Sequence, residues 1–345
     1  MNHQAGKRRK PAAVPRRNAR RMRPGLRRKR KRRINHSRFG RYFNRGYDRG
    51  FDEGYVKALK ERHDPIYKLG YGEGYEKGYE TGLYEGGEMY IDGRVPPFTI
   101  LADVSIRQVV EAGVEALAAH RHPLLTPDQV HAHLASALAN RSPMSLVRLG
   151  DGELLTLAQD TVLSVDEVRR RGPFLPYAGV NVPDYAARDR LIESVRRAAI
   201  VGIPRYRLRN FQPLAFDVFR AFGLDFRTKP LTDSQMNFML NQSGLLRPLL
   251  EGRRILLVGN KAPELAPVLQ RRGLMISGVV APVHGVPDAD RVMGEIRRYE
   301  FDIALISSGV SAVILAERTA NELGKVAIDF GHLADSMVKG EQTLL

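Results

Sequence analysis

Asp151 and Glu153 stand one residue apart in Arg148-Leu149-Gly150-Asp151-Gly152-Glu153. An Asp-x-Glu pair can present two hard oxygen ligands to a divalent cation such as Mg²⁺ or Mn²⁺. A cation held there could bridge to a diphosphate. The residues before the pair, from Met144 to Leu149, are mostly apolar and read as a short buried strand. Leu154, Leu155, Leu157 and Ala158 then begin a helical pattern. The two carboxylates therefore fall at the carboxyl end of a strand, where the next helix opens. Open α/β sheets bind ligands along that edge, and a helix N-terminus favours the same anion. Gly150 and Gly152 are read as letting the backbone turn sharply and approach a ligand. The plainer alternative is that Asp151 serves the turn and Glu153 complements the helix dipole.

Other strand exits carry residues of the same kind. Gly259-Asn260-Lys261 follows an apolar run, and its N–H groups and lysine could meet a phosphate, a base or a ribose. The spacing is not that of a P-loop, and no Gly-x-Gly-x-x-Gly is present, so an ATPase or a dinucleotide enzyme is not supported. Ser307-Ser308-Gly309 follows another run and could cradle an anion. Ordinary βα-turn chemistry explains either turn equally well. Asp329-Phe330-Gly331-His332 closes the last apolar run, placing a carboxylate and an imidazole where metal, a sugar hydroxyl or a proton could be held. His284 has the same standing. Arg148 needs a partner if its strand is buried: Asp151, Glu153 and a phosphate are the candidates.

The elements that must position these residues follow from periodicity. Thr126-Pro127-Asp128 starts a helix that runs to about Ala139. Helices are expected over Asp189–Ala199, Pro213–Phe222, Leu231–Leu240, Pro263–Arg272, Asp288–Tyr299 and Ser311–Leu323. Strands are expected at Ile200–Pro204, Arg254–Val258, Ile276–Ala281, Ile303–Ile306 and Val326–Asp329. Alternating strands and helices imply an α/β fold: a Rossmann-like, mostly parallel sheet with helices on both faces.

The 345 residues suffice for one large α/β domain with appendages. The absence of cysteine excludes disulfides, zinc-thiolate sites and a cysteine nucleophile. No apolar run approaches the roughly 18 residues of a membrane span. No apolar stretch follows the basic N-terminus as in a secretory signal. The expected location is cytoplasmic, with peripheral membrane contact as an option.

The net charge of +17 is local. Residues 1–45 hold 19 Lys and Arg and no acid, leaving 36 basic and 38 acidic residues elsewhere. That tail is expected to be disordered and suited to nonspecific contact with a polyanion or an anionic membrane. Residues 46–90 repeat Gly with Tyr or Phe every four residues, at Gly46, Gly50 and Gly54 and again from Gly70 to Gly86. Period four keeps a glycine ridge and an aromatic ridge nearly aligned on a helix. Because each glycine costs about 1 kcal/mol relative to Ala, a close-packed partner is needed. The segment is therefore read as a helical hairpin or self-association module that could build a homo-oligomer, the alternative being a low-complexity flexible linker. Residues 91–125 form a linker with an amphipathic helix over Ile106–His120, and residues 126–345 form the α/β body.

Three segments of that body resemble the GT-D glycosyltransferases, bacterial nucleotide-sugar enzymes with an Asp-x-Glu motif. Arg148-Leu149-Gly150-Asp151-Gly152-Glu153 is similar to the family's Arg-Phe-Gly-Asp-Gly-Glu. Arg254-Ile255-Leu256-Leu257-Val258-Gly259 resembles its central strand and donor-site turn. The stretch from Asp302 to His332 resembles its closing strand, turn, helix and Ile-Asp-Ile-Gly-His. The resemblance covers roughly residues 125–340 and implies a GT-D type fold binding a UDP-sugar, with Mn²⁺ or Mg²⁺ on the diphosphate. It makes Asp151 and Glu153 the metal and diphosphate motif, and it puts Asp329 and His332 on the terminal motif. Asn260-Lys261 departs from the family's more acidic, serine-rich loop. Asp151, Glu153, Asp329 and His332 are the expected catalytic residues. Arg148, Gly150, Gly152, Gly259, Asn260, Lys261, Ser307, Ser308 and Gly309 are expected around the donor. Asp233 and Asp329 are the candidate bases. The expected activity is hexose transfer from a UDP-sugar to a glycan or glycoprotein. The alternative is a non-catalytic α/β module tethered by its tail to nucleic acid or an anionic membrane.

Overall fold

The computed structural model describes residues 87–345. The basic tail and all but the end of the Gly-Tyr repeat lie outside the described residues. Backbone contacts divide the chain after Ala118. In the first unit, the described residues include a helical turn, α1 (Met89–Asp92), and a longer helix, α2 (Ile106–Ala116). Ser105 caps α2, and Gln108 reaches back to complete a capping box. The helix expected to reach His120 ends at Ala116, and a 3₁₀ turn follows it.

The second unit, residues 119–345, is built on seven parallel strands. They are β1 (Met144–Arg148), β2 (Ile200–Ile203), β3 (Leu231–Asp233), β4 (Arg254–Gly259), β5 (Met275–Val280), β6 (Ile303–Ser307) and β7 (Val326–Asp329). The sheet order is β3-β2-β1-β7-β6-β4-β5. From β1 the chain moves outward through β2 to β3 and crosses to β4 and β5. It then fills the middle with β6 and β7.

Side chains alternate between two cores, as the strand period of two requires. Val147, Leu256, Val258, Ala304 and Ile306 face one layer. That layer holds α4 (Asp151–Ala158), α5 (Val165–Arg171), α6 (Tyr185–Arg197), α7 (Gln212–Ala221), α11 (Ala289–Ile296) and α12 (Ser311–Leu323). Leu146, Ile255, Leu257, Ile303 and Leu305 face the other. That layer holds α3 (Pro127–Asn140), α8 (Met236–Gln242), α9 (Leu246–Leu250), α10 (Ala262–Gln270) and α13 (Leu333–Val338). Thr126 caps α3 with Pro127 at its first position, as the sequence predicts, and Gln129 closes a capping box. No helix among the described residues is long and apolar enough to cross a membrane.

One expected element is corrected. Leu231–Leu240 is not a single helix: Leu231–Asp233 is the edge strand β3, paired in parallel with β2, and the helix starts at Met236. The peptide groups of Val201, Gly202 and Ile203 supply the ladder that three residues could not support alone. Ser234 donates its N–H to the Ile203 carbonyl and ends the strand before α8.

Parallelism has one consequence for function. Every strand exit, from Gly150 on β1 to His332 beyond β7, lies along the same edge of the sheet. The chain leaves β1 toward β2 but leaves β4 toward β5, so the crevice between opposing crossovers opens on that edge.

Candidate functional site

Gly150 caps α4 in an extended conformation, φ −102° and ψ −168°, open to any residue. The sharp turn expected of Gly150 and Gly152 therefore needs no left-handed backbone. A Cβ at 150 would lie 3.1 Å from Glu153 Oε2, a tight contact that a shift of a few tenths of an ångström in that side chain would relieve. Glu153 accepts the Gly150 N–H at 2.7 Å, half of a capping box. Asp151 Oδ1 accepts the Gly152 N–H at 3.0 Å. Both carboxylates thus serve the start of α4, which opens at the exit of β1.

Arg148 closes the site from below. Its Nε donates to the Asp329 carbonyl at 2.9 Å and its Nη2 to Asp329 Oδ1 at 2.9 Å. Nη1 donates to the Ser234 carbonyl at 3.0 Å and to Asn237 Oδ1 at 3.2 Å. The partner of this arginine is accordingly Asp329, not Asp151 or Glu153. Asn237 Nδ2 donates to the Phe330 carbonyl at 2.7 Å, tying α8 to the exit of β7. Gly331 sits at φ +50°, and a Cβ there would fall 1.9 Å from Arg148 Nη2. Glycine is required at this position for the guanidinium to lie flat beneath the β7 exit.

The electrostatics follow from this packing. Burial, then the Asp329 carboxylate, pushes Glu153 up to about 7, against the lowering effect of the Gly150 N–H and Arg148. Burial also raises Asp329, although Arg148 opposes it. One buried carboxylate, one partly buried carboxylate and one guanidinium leave the group short of positive charge when both acids are ionised.

A stability signature follows. Unfolded, Glu153 titrates near 4.5; folded, near 7. Stability from this group is fully present below pH 4.5 and falls as pH rises through 7. The total loss is at most roughly 3 kcal/mol. Glu153→Gln keeps the acceptor for Gly150 N–H but cannot ionise. In metal-free buffer its melting temperature, relative to the parent, should climb by several degrees between pH 4.5 and 8. A flat difference across that range would contradict the assignment.

The remaining predicted residues occupy the same edge with different engagements. Gly259, at φ +132°, lies so close to β6 that a Cβ would meet the Ser307 carbonyl oxygen at 2.0 Å. Asn260 clamps the next exit: its Oδ1 accepts the Val283 N–H at 2.7 Å, and its Nδ2 donates to the Val283 carbonyl at 3.1 Å. Its amide is thus spent on the scaffold. Lys261 bridges both oxygens of Glu264 at 2.9 and 3.0 Å. Glu264 first, with Asp335 and Tyr177 adding to it, holds this lysine above its usual range. Ser308 accepts hydrogen bonds from Ser311 Oγ through its carbonyl, at 2.7 Å, and its hydroxyl, at 2.9 Å.

His332 is 85% exposed and lies 3.4 Å from Asp335, at the mouth of the crevice. Asp233 ends β3, accepts the Gln235 N–H at 2.8 Å and lies 3.7 Å from Arg205. His284 is exposed, and its N–H donates to Asp288. A groove of about 310 Å³ lined by Arg271, Arg272, Met337, Lys339 and Thr343 lies at the far ends of α10 and α13. It contains no acid and none of these residues.

Sequence reasoning did not assign Ser234, Asn237, Phe174 or Tyr177 to the site. Asn237 was visible only as one polar residue of 232–241. Phe174 lies 3.7 Å from where a Cβ of Gly152 would be, and nothing in its local sequence marks it.

A GT-D fold-like domain matches residues 125–337, more than half of the chain and the whole stretch from β1 to β7. The chain belongs to the GT-D-like family. The described sheet and its flanking helices are thus a glycosyltransferase fold of GT-D type. Within it, Arg148–Glu153 stands at the exit of β1 and Asp329–His332 at the exit of β7. The GT-D-like domain is similar in structure to a new glycosyltransferase (DUF1792) from Streptococcus sanguinis. That match has 14% identity and a TM-score of 0.46, covering 64% of this chain and 86% of the other. It is also similar to the domain of unknown function 1792 described as having a distinct glycosyltransferase fold. There the identity is 16% and the TM-score 0.45, covering 67% and 84%. No curated protein matches the chain.

A divalent cation fits the GT-D-like domain in one way. Among the described residues no group of three or more His, Asp and Glu is placed to hold a metal alone. Mg²⁺ and its relatives commonly take one or two carboxylates and complete their shell with substrate phosphate and water. Asp151 and Glu153 suit that mode, and a cation would offset the burial and the repulsion from Asp329 that raise Glu153.

Proposed function

We propose that the chain transfers a hexose from a UDP-sugar to a glycan or glycoprotein acceptor, using Mn²⁺ or Mg²⁺. The observation that carries this reading is the meeting of Arg148, Glu153 and Asp329 beside Asp151, at the joined exits of β1 and β7, in a chain of this family. Asp151 and Glu153 would hold the cation; when bound, it acts as a Lewis acid on the departing diphosphate. Arg148 holds Asp329 in place and keeps the floor of the site neutral enough to accept an anion. The N-terminus of α4 faces the same position and favours negative charge. Asp329 is 4% exposed and committed to Arg148, which makes Asp233 the more accessible of the two base candidates. The basic tail, with 19 Lys and Arg, suits contact with a polyanionic surface rather than the chemistry itself.

The test is hydrolysis or transfer of a panel of UDP-hexoses by the full chain, in Mn²⁺ and in EDTA. Turnover of at least one donor that EDTA abolishes is expected. Metal-independent turnover, or none with any nucleotide sugar, would overturn the reading.

A further inference from the structure

The segment from Pro173 to Val182 crosses the crevice edge of the sheet and is held there with no slack. Its own turns are closed by Ala178 N–H to the Phe174 carbonyl at 3.1 Å and Val180 N–H to the Leu175 carbonyl at 3.0 Å. Leu175 and Val180 are fully buried on the α4 side of the sheet. The loop is also fastened to two strand exits: Val310 N–H donates to the Ala178 carbonyl at 3.1 Å, and Val286 N–H to the Gly179 carbonyl at 3.2 Å. Three left-handed glycines make those contacts possible. A Cβ on Gly179 would lie 2.4 Å from Gly285 Cα, and one on Gly309 would lie 2.6 Å from the Ala178 carbonyl oxygen.

From this rigid loop Tyr177 projects into solvent with 88% of its surface exposed. A loop so tightly docked does not need an exposed ring for its own packing. Ala178, beside Tyr177, packs on Gly309 past the exit of β6; Gly259 at the exit of β4 packs on Ser307, and Lys261, two residues on, opens α10 on the other face of the sheet. Tyr177 and Lys261 therefore stand at the neighbouring exits of β6 and β4, on opposite faces of the sheet. From β1, where the carboxylates are, β4 lies three strands away, about 14 Å at the usual spacing. A nucleoside diphosphate anchored at Asp151 and Glu153 and extended along this edge would carry its base toward the ring, which stands one strand nearer, beside the exit of β6.

We propose that Tyr177 is the stacking platform for the donor's nucleobase, with Lys261 beside the ribose; this rests on the nucleotide-sugar reading above. Stacking tolerates any base, so Tyr177 contributes affinity and position without choosing uracil over another base.

The full chain has no tryptophan, so Tyr177→Trp introduces a single indole at an exposed position. With Mn²⁺ present, UDP should quench its emission saturably, and inorganic pyrophosphate should not. In calorimetry, Tyr177→Ala should weaken UDP binding by about 5- to 100-fold and leave pyrophosphate binding unchanged, while Tyr177→Phe retains UDP affinity. Unchanged UDP affinity in Tyr177→Ala with no quenching in Tyr177→Trp overturns this inference alone. Equal loss of UDP and pyrophosphate in Tyr177→Ala also overturns it, because the residue would then be structural. No UDP binding to the unaltered chain overturns it together with the donor reading.

Discussion

Arg148→Met is expected to lower the melting temperature by about 10 °C. The guanidinium makes four hydrogen bonds, to the Asp329 carbonyl and carboxylate, the Ser234 carbonyl and Asn237. Methionine fills a similar volume but leaves Asp329, 4% exposed, without a counter-charge. Removing one partner of a buried pair typically costs about 3–5 kcal/mol, and in a domain of this size each kcal/mol moves the midpoint by about 2–4 °C. Burial already raises Asp329, and without Arg148 it rises further. An acid with a raised folded-state pKa loses stability as pH rises, so the deficit should be larger at pH 8 than at pH 5. Adding Asp329→Asn to Arg148→Met removes the stranded charge and should recover a large part of the loss. A double variant no more stable than Arg148→Met would show that the ion pair is not what holds the exits of β1 and β7 together.

The second large effect is on turnover. Asp151→Asn and Glu153→Gln preserve shape and the hydrogen bonds to Gly152 and Gly150, so neither should unfold the chain. Each removes one anionic ligand for the cation. A Lewis acid on the leaving diphosphate supplies several kcal/mol. At 1.36 kcal/mol per tenfold, transfer should fall by about 10²–10³ in either single variant. The double variant should fall little further, because the two ligands act as one unit. Steady-state rates at saturating Mn²⁺ and donor, with circular dichroism as the folding control, measure this. Rates within a few-fold of the parent in both single variants would remove the carboxylates from the mechanism.

The parts of this fold legible in sequence are those governed by local periodicity. Ser311–Leu323 and Val326–Asp329 appear in the structure with the predicted limits. Thr126-Pro127 starts its helix as capping chemistry requires. The edge strand β3 was not legible. Three residues, bonded to β2 and to the lone bridge at Leu125, carry too little alternation to stand out against the polar helix that follows. The carboxylate motif was visible as a motif, but its surroundings were not. Arg148 and Asp329 are 181 residues apart, and only the parallel pairing of β1 with β7 brings them together. The sequence offered nearby Asp151 and Glu153 as partners for Arg148, and the sheet supplied a distant one. Gly150 was expected for its backbone freedom, yet it adopts an extended conformation open to any residue, and a Cβ there would crowd Glu153 only slightly. Tyr177 carried no local signal, because its exposure depends on glycines at 179, 285 and 309 meeting across the fold.

The central claim is that Asp151 and Glu153 hold a cation that anchors a nucleotide's pyrophosphate. Calorimetric titration of UDP into the full chain, with Mn²⁺ and after chelation, addresses it without an acceptor. The expected result is binding that requires Mn²⁺ in the parent and is abolished in Asp151→Asn/Glu153→Gln. Equal UDP affinity with and without Mn²⁺, or undiminished Mn²⁺-dependent binding in the double variant, would contradict it.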